Sequence, residues 1–280
     1  MQLAKNITLQ YLRSRLKLMA AFSPRKAAEK AFEIFITPHS RLDKKPAAIF
    51  EKAEKLVLDF NGLRVKGYRW NHPSPKKLLI LHGYESGILN FDRYIAPLVR
   101  KGYEVIGMDA PAHGKSSGKM INAVDYKHFI LFLMKELGPI KNFISHSFGG
   151  LGLSLALEET KHDKTYRAVF IAPATESTTA MNQFFKLMQL SPEVRMEFDK
   201  VITEANNKPP SWYSVARASA KIKAEVLFLQ DKADPLTPYA DVKPIIEKKY
   251  PNFRFVITKG LGHRKIYREP QQVKLVTDFF

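Results

Sequence analysis

Apolar positions along this chain change their period more than once, and the changes predict where helices give way to strands. Leu9, Leu12, Leu16 and Met19 fall at helical spacing, and Ser23-Pro24 reads as a cap with proline at the first position of a second helix, ending near Ile36. From Lys55 the period shortens to that of strands: 56–60 and 63–70 flank Asn61-Gly62, a favoured two-residue hairpin turn. Residues 78–81 form a short buried strand, followed by a helix at about 91–101 and a strand at 103–108. Helix, strand, helix and strand then recur at 121–137, 141–145, 148–159 and 168–171. This alternation predicts an α/β fold with a mostly parallel, doubly wound sheet, to which the opening hairpin adds an antiparallel edge.

Between about 174 and 221 the alternation stops. Met181, Phe184, Phe185 and Met188 make an apolar stripe, Ser191-Pro192-Glu193 opens another helix, and Asn206 to Pro210 ends it. The stretch predicts a small helical cap at about 175–221, whose stripe either lines an apolar substrate pocket or glues the insertion down. Alternation resumes with a strand at 226–229, a helix at 240–248, a strand at 253–258 and a closing helix that runs out at Phe280. The expected organisation is therefore an N-terminal helical extension, 1–45, and an α/β domain, 46–280, interrupted by the cap.

Composition narrows the functions. With 280 residues and 45% hydrophobic content the chain can bury one large core, and the absence of cysteine removes disulfides, thiol catalysis and cysteine-held zinc. Arg13, Arg15 and Lys17 interrupt the first helix, so neither a secretory leader nor a membrane span is expected there, and a cytoplasmic location is. The net charge of +18 favours anionic partners. The basic N-terminal helices could lie peripherally on an anionic membrane or pack on the domain that follows. No run interleaves basic and aromatic residues, so no nucleic-acid partner is expected. The histidines lack metal-ligand spacing and no glycine loop would cradle a phosphate, so no metal or organic cofactor is expected.

Candidate chemistry gathers at the ends of strands, where open α/β sheets place their sites. Ser145-His146-Ser147-Phe148-Gly149 turns a strand sharply into a helix with Ser147 at the apex, a variant of the G-x-S-x-G elbow carrying Ser145 at the first position. After 78–81 comes His82-Gly83-Tyr84. There the backbone N–H of Tyr84, with that of Phe148, could face an oxyanion beside the Ser147 hydroxyl. Past 226–229, Asp231 and Asp234 both stand on a proline-braced loop and are candidates to orient a histidine, with Asp234, directly before Pro235, the better braced. His263 follows Gly260-Leu261-Gly262 after 253–258.

Ser147, an aspartate and His263 thus occur in the order of the α/β-hydrolase triad, and the sequence resembles that family from roughly Leu56 to Phe280. Asp109-Ala110-Pro111-Ala112-His113-Gly114-Lys115-Ser116 is similar to the family's D-x-P-G-H-G-x-S loop, with Ala112 in place of a glycine. The resemblance implies that Asp234 is the acid and that the helical insertion is the family's cap. It implies a serine hydrolase that cleaves carboxylic ester or thioester bonds of a small, lipid-like or acyl-chain substrate through an acyl-enzyme, without a cofactor. Cofactor-free haloperoxidases and C–C bond hydrolases resemble the same layout, and a non-catalytic or membrane-surface binding protein on this fold is the alternative of a different class.

Overall fold

The structure, a computed structural model, describes residues 2–280, with side chains from residue 8 onward. It divides into two compact units, Met1–Thr37 with Glu176–Tyr213 and Pro38–Thr175 with Ser214–Phe280. That division regroups the pieces expected from sequence, because the N-terminal extension and the insertion fall in one unit despite their separation along the chain.

The helical unit contains α1 (Gln2–Phe22) and α2 (Pro24–Phe35). Ser23 caps α2 by accepting from the Lys26 N–H, and Pro24 occupies its first turn, as the sequence predicts. The inserted helices of this unit start at Ser177 and Pro192 and are numbered in chain order below. Its core is aromatic. Phe198 meets Phe32 at 5.7 Å, Phe35 at 5.9 Å and Phe185 at 5.0 Å between ring centres, all edge to face. Phe35 also meets Phe184 at 5.3 Å. Arg25 adds paired hydrogen bonds to Glu204 at 3.1 and 2.6 Å.

The α/β unit is an eight-stranded sheet in the order β1-β2-β4-β3-β5-β6-β7-β8. Its first strands, β1 (Glu54–Phe60) and β2 (Leu63–Trp70), form the expected hairpin. β2 runs antiparallel to both β1 and β4, and all later pairs are parallel. The chain continues through β3 (Lys77–Leu81), α3 (Asp92–Arg100), β4 (Glu104–Met108), α4 (Ala123–Leu137), β5 (Asn142–His146), α5 (Phe148–Glu159) and β6 (Arg167–Ile171). It then enters the helical unit as α6 (Ser177–Met188) and α7 (Pro192–Asn206). It returns as α8 (Val215–Ser219), β7 (Glu225–Asp231), α9 (Tyr239–Glu247), β8 (Phe253–Thr258), α10 (Gly262–Lys265) and α11 (Pro270–Phe279).

Because side chains alternate along a strand, each central strand supplies two cores. Leu78, Ile80, Ile144, Val169, Ile171, Leu227 and Leu229 join Phe91, Tyr94, Ile95, Leu98, Val273 and Val276 of the α3 and α11 side. Leu79, Phe143, Phe170 and Phe228 are equally buried and point to the opposite face. Strands buried on both faces read in sequence as short apolar runs, as residues 78–81 do. The strand order reverses direction at β3, whose neighbours are β4 and β5, so the carboxyl ends of β3 and β5 open the crevice where such sheets bind ligands.

Candidate active site

Ser147 joins β5 to α5 with φ 54° and ψ −121°, a strained conformation for any residue with a side chain. Two close approaches hold the turn. A Cβ on Gly83 would lie 2.9 Å from the Cβ of Ser147, and one on Gly149 would lie 2.6 Å from the His82 carbonyl oxygen, so both positions require glycine. Ser145 is fully buried and its hydroxyl donates to the Val169 carbonyl of β6 at 2.8 Å. Its hydroxymethyl group is therefore absorbed by the neighbouring strand, and the turn tolerates serine at that position.

The loop after β3 lies beside this elbow because Leu81 and Ser145 are register partners. Phe148 opens α5, so its N–H has no acceptor within the helix, and its ring meets that of Tyr84 edge to face at 5.7 Å. Next to Tyr84, Glu85 has a left-handed φ of 51° and is gripped twice. Its N–H donates to His113 Nε2 at 3.0 Å, and its carboxylate accepts the His39 N–H at 2.8 Å. Arg41, two residues on from His39, donates to the carbonyls of Gly114, Ser116 and Gly118. The chain leading into the sheet thus straps down the two loops that border the elbow, a feature with no signal in the residue pattern.

His82 is structural, as its position suggests. Its Nδ1–H donates to the Gly83 carbonyl at 2.8 Å, its Nε2 accepts the Ala110 N–H at 2.9 Å, and burial lowers its pKa to about 4. In the loop after β4, Ala112 takes a φ of 66° at the place where the resembled family carries glycine. The substitution keeps the left-handed turn and adds the strain of a Cβ.

Asp234 and His263 come together at Ser147. His263 Nδ1 lies 2.7 Å from Asp234 Oδ2, and His263 Nε2 lies 3.0 Å from Ser147 Oγ. A carboxylate only accepts, so Nδ1 carries the ring proton and Nε2 is left to accept from the serine hydroxyl. Asp234 is itself fixed, its Oδ1 accepting from the N–H groups of Leu236 at 2.8 Å and Thr237 at 3.0 Å, and its Oδ2 from the Thr237 hydroxyl at 2.7 Å. Burial, the largest influence on this carboxyl, pushes its pKa up. The hydrogen bonds from His263 and Thr237 outweigh burial and leave the pKa below the ordinary value. His263 sits in the single turn of α10 directly after Gly262, whose φ is 59°.

Asp231, the other candidate acid, is committed elsewhere. It accepts from the N–H groups of Ala233, Gly260 and Leu261 and from the Thr258 hydroxyl, tying the loop of Asp234 to the loop of His263. Burial opposes its ionisation, but these donors win and hold its pKa at about 2. Glu158 of α5 is also held at about 2, chiefly by the Arg217 guanidinium, which donates at 2.7 and 2.5 Å. Both pKa values lie below those of the unfolded chain, so both groups stabilise the fold above about pH 4, and that stabilisation is lost as the pH falls toward 2. Acid unfolding followed by circular dichroism should therefore steepen below about pH 4 in the wild type and be shallower in Asp231→Asn and Glu158→Gln. Parallel curves for all three proteins would contradict this assignment.

One neighbour of the site was not singled out from the sequence. His146 is buried, its Nε2–H donates to the backbone carbonyl of His263 at 3.0 Å, and its ring lies against His263 at 4.7 Å and Tyr267 at 4.3 Å. Burial lowers its pKa to about 3, so it is a neutral brace under the histidine loop. Only its place beside Ser147 could have flagged it.

A family model described as serine aminopeptidase, S33, matches residues 72–214, just over half of the chain. The chain belongs to the α/β-hydrolase family. The match spans the elbow and ends before Asp234 and His263, which the fold delivers from the two strands that follow. Among curated proteins the chain is similar to a rice (Oryza sativa) protein named a probable esterase, 25% identical over 170 residues, or 58% of this chain and 63% of that protein. It is also similar to an uncharacterized hydrolase, YugF, of Bacillus subtilis, 28% identical over 105 residues, 35% of this chain and 38% of that one. The chain thus spans less than two thirds of the length of these relatives. Among solved structures, a Pyrococcus furiosus esterase superposes with a TM-score of 0.64 at 22% identity, covering 87% of this chain and 95% of the other, a likeness of fold.

The expected pocket residues Met181, Phe184, Phe185 and Met188 all lie on α6, in the helical unit. Within that unit the two phenylalanines pack on Phe35 and Phe198, and the Arg195 guanidinium lies 5.2 Å above the Phe185 ring. Their packing is that of an internal core. Among the described residues no helix is long and apolar enough to cross a membrane.

Proposed function

We propose that the protein is a serine esterase that cleaves carboxylic ester or thioester bonds through an acyl-enzyme. The observation that carries this reading is the continuous relay from Asp234 through His263 to a serine held at a strained strand-to-helix turn. Ser147 Oγ attacks the substrate carbonyl carbon while His263 Nε2 takes its proton. The carbonyl oxygen becomes an oxyanion, for which the N–H groups of Tyr84 and Phe148 are the donors. Collapse expels the alcohol or thiol, which receives the proton from His263 and leaves the acyl group on Ser147. Water then attacks the acyl carbonyl, gives its proton to His263, and the carboxylic acid departs as Ser147 recovers its proton. Asp234 orients His263 and offsets the charge it gains in each half-reaction.

Preference for an ester over an amide is supported by the names of the rice relative and of the Pyrococcus structure, both esterases. A small, lipid-like or acyl-chain substrate is proposed. A fluorophosphonate probe should label wild-type protein at Ser147, and a panel of aryl esters of increasing acyl length should be hydrolysed with a defined length optimum. An unlabelled protein would favour a non-catalytic binding protein on this fold. Labelling without hydrolysis of any ester would move the reading to another reaction of the same triad, such as C–C bond cleavage.

A further inference from the structure

Outside the candidate site, the largest unexplained feature is the outer face of α1. One side of this helix is buried as expected, with Leu16 only 1% exposed, and the helix packs on α2 and α6. The opposite side is also apolar. Tyr11, Leu18 and Phe22 are 62%, 64% and 86% exposed, and their spacing of seven and four residues places them on one face. Among the described residues, three of the eight exposed large hydrophobic side chains therefore share this one face of α1. A large apolar cluster facing water implies a partner.

The charges say which kind of partner. From Thr8 onward α1 carries Arg13, Arg15 and Lys17, and the whole helix has no carboxylate. Arg15 is exposed and stands within the stripe, four residues after Tyr11. A second copy of this chain docked face to face would bring these cations against their own counterparts with no acid on the stripe to pair them. Nucleic acid would satisfy the cations but leave Leu18 and Phe22 in water. An anionic bilayer satisfies both halves, because its headgroups meet the cations while the acyl boundary takes the leucine and aromatic side chains. We infer that the outer face of α1 docks the protein on anionic lipid. This goes beyond the proposed hydrolysis and does not depend on it.

The test is sedimentation of the full-length protein with phosphatidylcholine vesicles, with and without an equal part of phosphatidylglycerol. Partitioning onto the anionic vesicles should exceed that onto the neutral ones by at least about ten-fold at low salt and decline as salt is raised. The double variant Leu18→Glu/Phe22→Glu should lose at least about ten-fold in partitioning. Arg15→Glu should lose a smaller factor, and both should keep the wild-type circular-dichroism melt, since all three side chains are exposed. Equal partitioning onto neutral and anionic vesicles would overturn the inference, and so would undiminished sedimentation of the double variant. A wild-type dimer that the double variant converts to monomer without vesicle binding would assign the face to a second copy instead.

Discussion

Ser147→Ala is expected to lower kcat on an aryl ester by at least about two orders of magnitude, with KM little changed. The serine oxygen forms the covalent bond, and no other hydroxyl in the site is placed to replace it: Ser145 donates into β6, and Thr237 donates to Asp234. The backbone adds a second, separable expectation. Ser147 holds a φ of 54° and a ψ of −121°, and alanine keeps the Cβ that makes this conformation costly. Ser147→Gly should be equally inactive yet more stable than Ser147→Ala by about 1 kcal/mol, after allowing for glycine's freer unfolded chain. Urea denaturation midpoints of the two variants, read with their slopes, measure the difference. Full activity in Ser147→Ala would end the serine-esterase proposal. Equal stability of the two variants would leave the proposal standing and remove the strain argument.

The second large effect belongs to the choice between two aspartates. Asp234→Asn should lower kcat by about three to four orders of magnitude with stability nearly unchanged. The loop dictates how the new amide sits. Oδ1 stays with the N–H groups of Leu236 and Thr237, which puts the amide nitrogen where Oδ2 now faces His263 Nδ1. That nitrogen donates, so Nδ1 must give up its proton and Nε2 must carry it. A protonated Nε2 cannot accept from Ser147. Asp231→Asn should behave in the opposite way. Its carboxylate gathers four donors from two loops, so its loss is expected to cost about 2 kcal/mol of stability and to affect activity only through the placing of those loops. Steady-state kinetics and thermal melts of both variants separate the two roles, and a larger kcat loss in Asp231→Asn would reverse them.

That choice marks one limit of what is legible in the residue order. Both aspartates follow the same strand within a few residues, and local pattern favours Asp234 only through the bracing of Pro235. They differ in what faces them across the sheet, since Asp231 ends β7 opposite Thr258 of β8 while Asp234 lies beyond it and meets the turn of α10. His146 was silent for a similar reason, its role resting on a backbone carbonyl more than a hundred residues away. The elbow itself was legible because its constraints are local. Ser147 is followed by two glycines and preceded by an apolar strand, and the glycine at 149 answers a close approach to the strand end next door. The Ala112 turn shows a departure from pattern that the fold accepts, with the left-handed backbone kept at a cost in strain.

What the sequence determined by itself is the set of elements and their alternation, because hydrophobic period, glycine turns and proline starts act over a few residues. Strands predicted as short apolar runs are the central strands buried on both faces, and the predicted hairpin is the antiparallel edge. Tertiary structure alone decided the partnerships. Residues Met1–Thr37 and Glu176–Tyr213 form one unit because Phe32 and Phe35 find Phe198 and Phe184. The hydrophobic effect rewards the burial of an aromatic ring without specifying which distant ring will cover it. The same holds for the site. A carboxylate, an imidazole and a hydroxyl become a relay only when strand order carries three loops to one crevice, and that order is a property of the packed sheet.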